Sequence, residues 1–185
     1  MSKRDQIMDA ALKLFVQQGL QATPMSQVAR EGKTGMGTIY NLFPSKEALV
    51  NAIYVRLKEE EAIFVFENFP ESASVRERFE FCFGRLTRYF LENPLEFQFI
   101  DRFALSPVIT ETSREVGSRL FEPVIQMLAE GQSQRIIKEV PIRQLAYFAM
   151  TGCSSLIRLH LADPELELEA AIQAQLGLAW DAIKS

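Results

Sequence analysis

The 185-residue sequence predicts an all-α fold, with a small three-helix bundle over residues 1–46 and a larger helical domain over 47–185, about nine helices together. Two observations carry that expectation. Apolar residues recur at intervals of three and four along most of the chain, which places them on one face of a helix. The breaks between these runs hold residues that start and stop helices, and no segment alternates with a β-branched period of two. A hydrophobic fraction of 48% is ample for a packed core and argues against disorder.

Taken in order, Ile7, Ala10, Ala11, Leu14 and Phe15 form the first helical face. Ser2 and Asp5 stand before it in capping-box spacing, and Gly19 supplies a stop. Thr23-Pro24 reads as the next start, a cap residue followed by proline at the first helical position. Two short helices, about 24–31 and 36–43, follow with a turn over Gly32 to Gly35 between them. Ser45, with Glu47 in the first turn to oppose the helix dipole, opens a long helix over 46–66. The stripe Phe79, Cys82, Phe83, Leu86 and Phe90 ends near Asn93-Pro94. Residues 95–99 alternate like a strand. However, Asn93-Pro94-Leu95-Glu96 is a cap, a proline and a closing acid, and Leu95, Phe99 and Phe103 lie four apart, so a helix is expected. Another helix runs to Gly131, bent or restarted at Pro123. The last two are long, about 142–161 and 164–184, the second behind an Asp163-Pro164 start.

Charge is distributed unevenly. Residues 1–58 hold eight Lys and Arg against four Asp and Glu, a net of +4, and residues 59–185 hold twelve against twenty, a net of −8. A basic head on an acidic body suits a protein that meets phosphate with one end. Cys82 and Cys153 are too few and too far apart for a disulfide framework, so a reduced, cytoplasmic setting is expected. The N-terminus has no apolar signal core, and the most apolar stretch, 145–157, is shorter than a span and broken by Thr151, Ser154 and Ser155. Export and membrane insertion are therefore not expected. His160 is the sole histidine, which leaves no zinc set and no histidine-based triad. An enzyme, a metal site and a cofactor are all unexpected on this reading.

Residues 23–49 spell a helix-turn-helix. Val28, Ala29, Ile39 and Phe43 are spaced to face one another and the Leu14/Phe15 stripe, which turns Met36, Thr38, Tyr40 and Asn41 outward. Hydroxyl, amide and apolar groups in such a set are the kinds that reach base edges, thymine methyls and phosphates in a major groove. Over its first fifty residues the chain resembles the TetR family. The resemblance rests on Ile7, Ala10-Ala11, Leu14-Phe15 and Gly19, then Val28-Ala29, then the block from Gly37 through Thr38, Ile39 and Tyr40 to Leu49. It implies that Thr38 and Tyr40 contact DNA, that Met36 and Asn41 set sequence preference, and that Lys46 neutralises a phosphate. Ser26 and Gln27 occupy the family's contact positions on the preceding helix. Two departures stand out. Gly32-Lys33 replaces the usual Ala-Gly of the turn, which shifts the glycine by one and brings the cation Lys33 near phosphate. Gly35 replaces the usual Ser or Thr cap, leaving either Thr34 as cap or a loosely started helix.

Eight aromatic residues crowd into Phe79 to Phe103. They suit a solid core, or an apolar cavity with a few polar groups such as Arg85, Gln98, Arg102 or Tyr147. The resemblance favours the cavity, with Phe79, Phe83, Tyr89, Phe99, Arg102, Phe103 and Tyr147 as its candidates. For the last two helices it implies a homodimer closed as a four-helix bundle. The candidate contacts are Gly152, Leu156, Leu168, Ile172, Leu176, Ala179 and Ile183. The expected function is that of a transcriptional regulator, most simply a repressor on a palindromic double-stranded operator, released by a small apolar or amphipathic effector. The rival is a helical protein-interaction adaptor without DNA binding.

Overall fold

A computed structural model describes residues 2–185. Among the described residues the chain forms ten helices: α1 (Lys3–Gln18), α2 (Met25–Glu31), α3 (Met36–Leu42), α4 (Lys46–Phe66), α5 (Val75–Glu92), α6 (Pro94–Phe103), α7 (Glu111–Leu120), α8 (Glu122–Ser133), α9 (Ile142–Ala162) and α10 (Leu168–Ile183). Extended pairing among them is limited to one antiparallel bridge, Ile137 with Lys184.

Local chemistry explains most of the boundaries. Ser2 Oγ accepts the Asp5 backbone N–H while the Asp5 carboxylate accepts from the Ser2 backbone, completing the capping box, and Gly19 ends α1 at φ 85°. Ser45 Oγ accepts from the Ala48 N–H at 3.0 Å to open α4. Pro123 restarts the chain as α8 after Phe121, so α7 and α8 are two helices rather than one bent one. Two expected starts are corrected. Thr23 does not cap α2; its buried hydroxyl donates back to the Gly19 and Leu14 carbonyls, and Pro24 takes the N-cap position. Asp163-Pro164 closes a turn, in which Asp163 Oδ1 accepts from the Glu165 N–H, and α10 begins only at Leu168.

The chain divides into two units. Unit 1 comprises the residues through Glu59 together with Asn93–Gly117; unit 2 comprises Glu60–Glu92 and Ser118–Ser185. Apolar burial defines each unit. In unit 1, Phe99 and Phe103 of α6 join Ile7, Phe15, Val28, Ile39, Phe43 and Leu49 in one core. Polar contacts pin the same segments: Arg102 donates to the Val16 carbonyl at 2.8 Å, and Arg56 pairs with Asp9 at 2.7 Å. The Asn51 side-chain amide donates to the Val108 carbonyl and accepts from the Thr110 N–H, each at 2.8 Å.

In unit 2, α5 packs against α8, α9 and α10. Phe79 stands at the centre, its ring 4.7 Å from Phe83 and 5.5 Å from Trp180. The α10 stripe of Ile172, Leu176, Ala179 and Ile183 is buried within this unit, as is Leu156 of α9. Those residues were expected to face a second copy. A single chain already covers them, because α5 supplies the apolar partner that the sequence reading had placed on another protomer.

Candidate nucleic-acid interface

The site begins with two side chains that point away from it. Ile39 and Phe43 are almost fully buried against Val28, Ala29 and the α1 face, which leaves α3 only one rotation about its axis. Met36, Thr38, Tyr40 and Asn41 consequently face solvent, with Tyr40 48% exposed. A large aromatic that exposed is not a core residue. Ser26 is exposed on α2 and Gln27 half-buried. Among the described residues no neighbour occupies the space beside Gly37, so the backbone of α3 is bare on that side.

The turn resolves both departures noted in the sequence. Gly32 has an ordinary φ of −75°, and its value is steric: a Cβ there would sit 3.1 Å from the Val28 carbonyl oxygen and 3.6 Å from Ile7 Cα. The left-handed position is Lys33, at φ 47°, with its side chain in solvent. The glycine is thus not relieving the backbone one residue early; the lysine itself carries the strained conformation. Gly35 is the N-cap of α3 and offers no side-chain bond, so Thr34 does not cap and the helix relies on the Ile39 N–H to Gly35 carbonyl bond at 3.2 Å.

The charge balance of this region is decided by which groups are engaged. All four acids before residue 59 are occupied. Asp9 and Glu31 pair with Arg56 and Lys13, while Asp5 and Glu47 serve helix starts. Hydrogen bonds from Ser2 hold the Asp5 carboxyl below its usual range, and a backbone bond followed by the Ser45 contact does the same for Glu47. Among the described residues Lys3, Arg4, Arg30, Lys33 and Lys46 take no carboxylate partner. Lys46 is half-buried and donates to the Leu20 carbonyl at 2.9 Å, so part of its hydrogen-bonding capacity is structural.

The residues grouped as cavity candidates do not come together in one unit. Phe79, Phe83 and Tyr89 are buried in unit 2, whereas Phe99, Arg102 and Phe103 belong to unit 1. Tyr147 is 52% exposed on α9. Burial raises the Cys82 thiol to about 12 and the Cys153 thiol to about 11, so both stay protonated and inert near neutral pH. Sequence reasoning missed the outer face of the last two helices. Tyr147, Phe148, Met150, Leu159 and Leu161 of α9 and Leu178 of α10 supply six of the twelve large apolar side chains left exposed among the described residues. An apolar stripe on each face of one helix blurs the period that would have separated them.

Residues 7–53 match the family model described as bacterial regulatory proteins of the tetR family, and residues 55–185 match the tetracyclin repressor-like C-terminal domain. The chain belongs to the TetR family. It is 28% identical to the HTH-type transcriptional repressor KstR of Rhodococcus jostii (strain RHA1), over 95% of this chain and 83% of that protein. Two further curated relatives match over 48 and 54 residues only, 26% and 29% of this chain and 16% and 28% of their own lengths. A putative tetR family transcription regulator from Shewanella sp. PV-4 superposes at a TM-score of 0.92, with 24% identity and full coverage of both chains. The transcriptional regulator FadR from Bacillus subtilis, solved in complex with stearoyl-CoA, superposes at 0.74, with 18% identity over 95% and 96% of the two chains.

The left-handed Lys33 makes the TetR-family turn testable. Lys33→Gly removes the Cβ clash of that conformation against the entropy of a new glycine, for a net gain of about 0.5–1 kcal/mol. Urea unfolding should show a higher midpoint; an unchanged or lower one would mean that the turn is not strained at this residue.

Proposed function

We propose that this TetR-family chain is a DNA-binding transcriptional repressor, acting as a homodimer on a palindromic operator and released by a small apolar or amphipathic effector. One observation carries the DNA reading: α3 is locked by Ile39 and Phe43 so that Met36, Thr38, Tyr40 and Asn41 project together from a surface with surplus cations. Cations without carboxylate partners favour a polyanion over the protein surface an adaptor would meet. In this reading Thr38, Tyr40, Ser26 and Gln27 position the reader, Met36 and Asn41 read base edges, and Lys33 and Lys46 face phosphates. The name of KstR supports repression rather than activation.

The homodimer is assigned to the outer face of α9 and α10. Its large side chains are flanked by Ala170, Ala174, Gly177 and Ala182, small enough for close helix approach. Two-fold symmetry would place two copies of α3 in successive major grooves, hence the palindrome. The effector is assigned to unit 2, where Phe79, Phe83 and Tyr89 offer an aromatic lining. The stearoyl-CoA held by Bacillus subtilis FadR supports an acyl ligand class for a domain of this shape.

Selection from a random duplex pool should yield an inverted repeat, with binding that weakens steeply as salt rises. Asn41→Ala should change the ranking of operator variants by about 1–3 kcal/mol at the affected base pair, with its salt dependence kept. Recovery of no preferred duplex would remove the proposed function.

Leu178→Glu places a charge on a side chain that is 68% exposed in one chain, so the protomer keeps its fold. Light scattering should report a monomer, with operator affinity reduced. A variant that stays dimeric would move the interface elsewhere.

Stearoyl-CoA and free stearate serve as effector probes. Binding should raise the thermal midpoint and weaken operator affinity by a coupling of about 1–3 kcal/mol. An unchanged midpoint with both would exclude long-chain acyl effectors.

A further inference from the structure

The DNA contacts that the resemblance implies lie between α2 and the start of α4, and none of them is on the first turn of α1. The structure does. The Arg4 guanidinium lies over the ring of Phe43, 5.2 Å from its centroid. Phe43 is the C-cap of α3, directly after the exposed residues Asn41 and Leu42, and only Pro44 and Ser45 separate it from Lys46. Arg4 therefore sits on the seam between the proposed reading helix and the proposed phosphate-facing start of α4.

Three further facts bear on what it does there. Arg4 is exposed and takes no carboxylate partner among the described residues; its hydrogen-bond contact is Nη1 to the Met8 sulfur at 3.7 Å. A guanidinium resting on an aromatic face keeps most of its five N–H donors free at the edge, in the planar fork that matches a phosphate. The capping box between Ser2 and Asp5 fixes the first turn of α1, so this cation is held in a helix rather than on a loose arm.

We propose that Arg4 is a further phosphate-contacting residue of the DNA interface, positioned by Phe43 so that the contact edge extends from α3 across to the N-terminal turn of α1. The proposal rests on the DNA-binding reading above. It assigns Arg4 affinity without sequence preference, because a phosphate contact is the same at every base pair.

The test needs no operator. Binding of a random 30-base-pair duplex is followed by fluorescence anisotropy between 0.05 and 0.3 M salt, for the wild-type chain, Arg4→Met and Arg4→Lys. Met keeps an apolar stem over Phe43 and removes the charge. Losing one phosphate should make the log–log salt slope shallower by about 0.9, which at 0.15 M salt is about a five-fold loss of affinity. Arg4→Lys should keep the wild-type slope, and all three proteins should melt together by circular dichroism. A wild-type slope for Arg4→Met would overturn the proposal. Equal losses in Met and Lys together with a lowered melting midpoint would also overturn it, since Arg4 would then only be packing on Phe43. A wild-type chain with no salt-dependent binding to any duplex would overturn the DNA reading itself, and this assignment with it.

Discussion

Backbone carbonyls at the end of α1 and just beyond it collect donors from three other segments of unit 1. The last carbonyls of any α-helix lack an N–H four residues on. Here the C-cap Gly19 N–H closes the last helical bond to Phe15, the Arg102 guanidinium serves the Val16 carbonyl, and just beyond the helix the Thr23 hydroxyl serves Gly19 and the Lys46 ammonium serves Leu20. The donors come from the end of α1, the turn before α2, the start of α4 and α6. Two are cations, whose charge also complements the negative end of the helix dipole. Three segments distant in sequence are tied to one helix end, so α2, α4 and α6 inherit their positions from α1.

Within that frame α3 contributes little of its own stability. Seven residues are too few for an isolated helix, and its N-cap offers no side-chain bond. What holds it is burial of Ile39 and Phe43, each contributing about 1.5–3 kcal/mol by transfer from water. Anchoring by two side chains on one face fixes the rotation of the helix and leaves the opposite face without structural duties. Residue identity at Met36, Thr38, Tyr40 and Asn41 is then free to be set by whatever lies outside the chain.

The elements were largely legible in the sequence because each start and stop is local chemistry. The 46–66 helix, the short pair around the turn and the capping box at Ser2 follow from residues within a few positions of one another. Side-chain partners were not legible, because they depend on which segments meet. Thr23 looked like a cap and Arg102 like a cavity residue, yet both donate to carbonyls at the end of α1, and Lys46 has a structural bond to the Leu20 carbonyl that its sequence context does not announce. Phe99 and Phe103 belonged to an aromatic-rich run that the sequence treats as continuous, and the fold divides that run between two cores. The α10 stripe had the right period and the wrong partner: amphipathicity reports that a face is buried, not which chain buries it.

Net charge gave the least guidance of all, and the structure explains why. A formal charge of −4 would oppose contact with a polyanion if charge acted as a sum. In physiological salt exposed charges are screened beyond about 8 Å, so a groove responds to the groups at its own edge. In the N-terminal segment the acids are engaged, Asp9 with Arg56, Glu31 with Lys13, and Asp5 and Glu47 at their helix starts. Of the cations in the same segment, Lys3, Arg4, Arg30, Lys33 and Lys46 take no carboxylate partner among the described residues, so the local balance is positive although the whole chain is acidic.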